Sequence, residues 1–128
     1  MTDYLLDTHV LLWTIFSSDK LSKLSRHIIM DKNSRKFISI STLWEISIKN
    51  RIGKLPLPGG ITGIFTEVES NGFGIMGVNR QHIETYGNLP LLHRDPFDGI
   101  IVATAIFEQM TIVTADENIH RYNVQWAW

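Results

Sequence analysis

The chain has no cysteine. That excludes a disulfide scaffold and any thiolate metal site, and it fits a reducing, cytoplasmic location. No stretch approaches the roughly 18 consecutive apolar residues of a membrane-spanning helix. The opening MTDYLLDTHVLLW lacks the basic head of a secretory signal, and Asp3 and Asp7 interrupt it. No membrane partner is expected. Excess charge is missing too. The formal net charge is −1, whereas a protein that grips nucleic acid by charge alone is normally basic. Internal repeats and low-complexity tracts are absent. So are the GxxxxGK[ST], GxGxxG and GxSxG signatures, which removes phosphate-loop, dinucleotide and serine-elbow chemistry. The five histidines show no HExxH spacing.

What remains is 128 residues, 44% hydrophobic and 20% charged, an ordinary composition for one domain over 1–128. A chain this long buries about two-thirds of its unfolded surface. Basic residues cluster at Lys20, Lys23 and Arg26, at Lys32, Arg35 and Lys36, and at Lys49, Arg51 and Lys54. They read as solvated faces, with a phosphate-tracking surface as the sharper alternative.

Hydrophobic periodicity predicts alternating strands and helices. Tyr4–Leu6 is a strand, followed by a helix from Asp7 to Phe16. A helix over 22–32 carries Leu24, Ile28 and Ile29 on one face. Lys36–Ile40 is a strand, and Ser41 and Thr42 open a helix to Arg51. After a Gly/Pro loop, 61–70 is helical, Gly74–Val78 a strand and Arg80–Tyr86 a short helix. Asp98–Gln109 is an apolar helix, Thr111–Thr114 a strand, Asp116–Arg121 a turn or short helix, and Val124–Trp128 a final strand. This alternation argues for a parallel sheet with helices on both faces. Trp13 and Trp44 are expected in the core or an interface. Trp126 and Trp128 are expected to share one face of the last strand.

Ligands of open α/β sheets bind beyond the carboxyl ends of the strands, where the crossover helices begin. Four acids fall at that edge: Asp7 after the first strand, Glu45 in the first turn of the third helix, Asp98 in the first turn of the apolar helix, and Asp116 after Thr111–Thr114. Each has a local explanation. Asp7 and Asp116 suit helix N-caps. Thr42-Leu43-Trp44-Glu45 suits a capping box. Asp95-Pro96 suits N-cap and N1, which puts Asp98 at N3. Together, four gathered carboxylates would repel unless protonated or bound to a cation. Mg²⁺ and Mn²⁺ prefer such oxygen ligands and promote phosphodiester chemistry. Thr8, Ser41 and Thr114 lie beside the acids and suit either support of the site or local capping. His93 is the best placed histidine.

LLDTHVLLW, STLWEISIK, HRDPFDGIIVATA and TIVTADENI, in this order across nearly the whole chain, resemble the PIN-domain ribonucleases. The likeness is greatest to VapC-type toxins of bacterial type II toxin–antitoxin pairs. The resemblance implies a Rossmann-like three-layer α/β/α sandwich with a mainly parallel central sheet of about five strands. It implies an Mg²⁺- or Mn²⁺-dependent endoribonuclease whose metal and catalytic acids are Asp7, Glu45, Asp98 and Asp116. It implies an RNA substrate, a homodimer, a cognate antitoxin, and contact with operator DNA only through that antitoxin. One departure stands out. Many relatives carry a basic residue straight after the second acid of DPFD, where this chain has Gly99; Arg94 is the nearest replacement for that charge.

Other classes fit less well. A haloacid-dehalogenase-type phosphohydrolase needs Asp-x-Asp after the first strand, and here the run is Asp7-Thr8-His9. A receiver domain needs an acidic pair there and a lysine after the last strand. A non-catalytic PIN-fold binding module would be expected to have lost an acid, and all four are present.

Overall fold

Short apolar β segments alternate with longer helices because each strand buries side chains on both faces. The computed structural model describes residues 2–128. The strands are β1 (Asp3–Leu6), β2 (Arg35–Ser39), β3 (Gly74–Met76), β4 (Thr111–Val113) and β5 (Trp126–Ala127). The helices are α1 (Thr8–Phe16), α2 (Lys23–Met30), α3 (Ile40–Arg51), α4 (Gly60–Ser70), α5 (Arg80–Gly87), α6 (Pro96–Glu108) and α7 (Glu117–His120). All strand pairs are parallel, in the order β3-β2-β1-β4-β5.

Successive residues of a strand face opposite sides, and the core divides accordingly. Leu6, Ile38 and Val113 pack with Val10, Leu11, Leu43, Ile46, Ile64 and Val68 from α1, α3 and α4. Leu5 and Ile112, one residue away, pack with Ile101, Val102 and Ala105 of α6 and with Ile119 of α7. The result is the three-layer α/β/α sandwich. Every residue of α6 from Gly99 to Ala105 is buried, which accounts for its lack of a polar face.

The sheet order sets the geometry of the site. From β1 the chain runs out to β2 and β3 on one side, then returns to place β4 on the other. The boundary between β1 and β4 is the topological switch point, where a crevice opens beyond the carboxyl ends. Leu6 pairs with Val113 there, so Asp7 and Thr114 leave the sheet side by side.

Three local expectations are corrected. Ser39, not Thr42, caps α3: its Oγ accepts the Ser41 N–H at 3.1 Å. The strand passes directly into the helix, so Glu45 lies in its second turn and Thr42-Leu43-Trp44-Glu45 is not a capping box. Leu24 is 47% exposed, and α2 packs instead through Ser25 and Ile28. The last strand is only Trp126–Ala127. Trp126 stacks on His120 while Trp128 turns to Trp13, so the two do not share a face.

Candidate active site

Asp7 follows β1 and caps α1. Its Oδ1 accepts the Val10 N–H at 2.8 Å, and its Oδ2 accepts the hydroxyl of Thr114. The Thr114 Oγ1 in turn accepts the Asp116 N–H at 3.0 Å. Asp116 caps α7 through the Asn118 N–H. One fully buried threonine therefore ties the tips of β1 and β4 together and sets Asp7 and Asp116 across one crevice. His120 braces it from behind: its Nε2 lies 2.8 Å from the Thr114 carbonyl, and its ring is stacked 3.5 Å from Trp126.

Asp98 arrives on a third element. Asp95 caps α6, its Oδ1 accepting the Phe97 N–H at 2.9 Å, and Pro96 occupies the first turn. That puts Asp98 at N3, as the sequence predicts. Its Oδ2 lies 3.0 Å from His93 Nε2. Glu45 is buried on α3. It accepts the Thr8 hydroxyl at 2.7 Å and pairs with Lys49 Nζ at 2.8 Å. Thr8 also reaches Thr42 Oγ1 at 3.4 Å. Ser41 touches none of these acids; its hydroxyl pairs with Ser39 at 2.7 Å.

The charges are not equally settled. Burial pushes Asp7 above the ordinary carboxylate range, and the nearby Asp116 adds to it. The Thr114 and Val10 hydrogen bonds and His9 work against that rise. Asp98 is pushed up to about 7, first by burial, then by Asp95 and Asp116, with His93 opposing. Asp116 thus lies within electrostatic reach of both. Like charges held this way favour a proton or a cation in the crevice.

The carboxylate oxygens suit a hard cation, whereas the imidazole nitrogen of His93 suits a borderline one. The tightest set, however, is not the four acids. Among the described residues, the atoms of His93, Asp95 and Asp98 lie within 4.8 Å of one another, the one such group of three or more. His93 and Asp95 thereby join the site beyond their expected parts. Lys49 is a further member, unexpected as the partner of Glu45, although Glu and Lys at i,i+4 are a readable signal.

Two surroundings bear on the crevice. Four of the nine residues in the basic clusters are engaged within the fold: Arg35 holds Asp3, Lys36 donates to the Asp31 and Ser34 carbonyls, Arg26 reaches the Ser18 carbonyl, and Lys49 holds Glu45. Gly99 faces Tyr86 of α5; a Cβ there would come within 2.5 Å of the ring. A basic side chain at this position would displace Tyr86. Next to Asp98, an apolar groove of about 730 Å³ runs between α3, α5 and α6, with Trp44, Ile83, Tyr86 and Phe97 among its walls. Trp44 is 64% exposed, so it belongs to this groove and not to the core.

With this arrangement in view, nearly the whole sequence matches one family: the PIN domain, over residues 4–125. The chain belongs to the PIN domain family. No curated protein matches it significantly. Solved structures share its fold. A chain of VapBC2 from Rickettsia felis, bound to a DNA fragment from its promoter, superposes with a TM-score of 0.77 at 20% identity, over 99% of each chain. VapBC from Salmonella typhimurium, bound to DNA, gives 0.74 at 18%, over 99% of this chain and 98% of that one. VapBC-1 from nontypeable Haemophilus influenzae gives 0.73 at 20%, over 98% and 97%. Among the described residues, no helix is long and apolar enough to cross a membrane.

Proposed function

We propose that this PIN domain is a single-domain endoribonuclease, the VapC-type toxin of a type II toxin–antitoxin pair, dependent on Mg²⁺ or Mn²⁺ and acting in the cytoplasm. PIN domains are generally nucleases. The observation that carries the reading is the switch-point crevice. Asp7 and Asp116 line it at the tips of β1 and β4, Asp98 lies within electrostatic reach of Asp116, and burial pushes Asp7 and Asp98 above their ordinary range.

Asp7, Asp98 and Asp116 would hold the cation, with His93 and Asp95 beside it. When bound, a divalent cation supplies water of lowered pKa and offsets charge on the phosphoryl group. Thr114 fixes Asp7 relative to Asp116, and the N-cap of α6 fixes Asp98. Glu45 and Asp98 are the two candidates to take the proton of the attacking water. Glu45 already has Lys49 and Thr8. Asp98 has only His93, 3.0 Å away, as a side-chain partner, and is the freer of the two to orient that water.

The partners follow the same reading. The similar chains belong to VapBC complexes, two of them bound to DNA. That supports a cognate antitoxin and operator DNA contacted through it. The exposed apolar groove supports protein partners, an antitoxin and a second copy of the chain, because contiguous apolar surface of this kind marks interaction sites.

The test is cleavage of total RNA with Mg²⁺ or Mn²⁺. Wild type is expected to cut and chelator to stop it. Asp98→Asn is expected to be at least about 100-fold slower, the scale of losing one transition-state contact, with a native circular dichroism spectrum. Full activity in that variant refutes the site assignment. Wild type that binds no Mn²⁺ and cuts nothing is a binding module instead.

A further inference from the structure

The carboxylates of Asp7 and Asp116 also wall a second, smaller cleft of about 250 Å³, completed by Ala115, His9 and Trp13. Its size falls below the roughly 300 Å³ at which drug-sized sites begin, on the scale of one nucleobase. His9 and Trp13 stand four residues apart on α1, so they share a face of the helix. Their ring centroids are 5.9 Å apart with planes inclined at 41°. Trp13 is backed by Trp128 at 5.7 Å and rooted in the core beside α1. His9 is exposed, and nothing in the packing of the core requires an aromatic ring there.

This cleft addresses a difficulty raised by the proposed activity. An acidic crevice on a chain of net charge −1 repels a polyanion, and several of the basic side chains are spent on internal partners. A source of affinity beside charge would help hold the strand at this edge. Stacking on aromatic rings provides it for single strands and tolerates any base. A base inside a duplex has both faces covered, so it cannot use such a ledge without leaving its helix.

We propose that His9 and Trp13 form a stacking ledge for one unpaired nucleobase adjoining the scissile phosphate. The proposal rests on the ribonuclease reading and narrows it: the substrate is cut where a nucleotide is unstacked. Trp13, seated on Trp128, is the fixed half of the ledge. His9, at the rim, extends the ledge toward solvent.

The test is steady-state cleavage, at fixed Mn²⁺, of a short single-stranded RNA carrying a cut site mapped on total RNA. His9→Ala is expected to raise KM about tenfold, the scale of one lost base stack. Its kcat should stay within about twofold of wild type, because the stack serves ground and transition states alike. His9→Phe is expected to restore KM. An abasic nucleotide beside the cut should raise KM more for wild type than for His9→Ala, where only the Trp13 contact remains to be lost. His9 is exposed, so thermal melts of both variants should match wild type. A wild-type KM in His9→Ala overturns the ledge and leaves the nuclease reading standing. A His9→Phe variant as impaired as His9→Ala also overturns it, because the role is then not stacking. Wild type that cuts no RNA overturns both.

Discussion

Glu45 and Asp98 are carboxylates carried by helices at the same sheet edge, yet the fold treats them in opposite ways. Glu45 has a lysine one turn along its own helix and a threonine hydroxyl from α1. Its charge is met inside the protein. Asp98 has one imidazole, set against the fields of Asp95 and Asp116 and a side chain only 15% exposed. The protein leaves that charge unsettled. A fold under pressure for stability alone would mend such a place; one retained for a ligand keeps it. On the proposed reading, Glu45 braces the crevice and Asp98 takes part in its chemistry.

Removing the unsettled charge should have the largest effect, and in two directions. Asp98→Asn should lose cleavage and gain stability. The carboxyl titrates at about 7 in the fold, against an ordinary value of 3.8 in an unfolded chain. Between those values the folded state keeps a proton that the unfolded chain releases. Its contribution is thus full below pH 3.8, declines as pH rises, and is gone above about 7. Without metal, the melting temperature of wild type should fall relative to Asp98→Asn across that window, as calorimetric scans at several pH values would show.

Cutting the tie at the strand tips comes next. Thr114→Val leaves Asp7 Oδ2 and the Asp116 N–H without their shared hydroxyl. Support of this kind is worth roughly 10–100-fold in metal affinity or activity, and the stranded groups cost about 1–3 kcal/mol. Cleavage rates and urea denaturation would measure both. Lys49→Met breaks the settled charge. Because Lys49 is about two-fifths exposed, the loss should be only about 1 kcal/mol, and activity should fall less than in Thr114→Val. Asp95→Asn should be mildest. Asparagine caps as well as aspartate, so α6 survives. Removing the like charge lowers the pKa of Asp98, and the acidic limb of the pH–rate profile should move to lower pH.

The contrast between the two acids shows how far the sequence could be read. Asp98 was legible because every feature that places it is local: Asp95, Pro96 and a continuous apolar run fix helix start, position and burial. The pairing of β1 with β4, which brings Asp7 to Asp116, is not fixed by βα alternation, because alternation leaves the strand order open. Glu45 was harder. Its helix begins without a break from β2, so the serine that caps it looks like a strand residue. The threonine that seemed to cap it is within reach of Thr8, some 34 positions away, a contact that no local pattern announces. The sequence leaves Trp44 open between core and interface, and only the relation of α3 to α5 and α6 shows that it lines the exposed groove. The hydroxyl of Thr114 is the opposite case. Its neighbourhood was visible, but its choice of Asp7 as acceptor depends on the register of two strands.

The most direct test of the central claim, that Asp98 is kept ionisable for a cation, is the shift in melting temperature caused by Mn²⁺ at pH 8 in wild type and in Asp98→Asn. A saturating ligand at about 100 times its Kd adds roughly 2.7 kcal/mol to stability. Wild type should therefore rise by several degrees while Asp98→Asn barely moves. Equal rises in the two proteins, or none in wild type, would contradict the account.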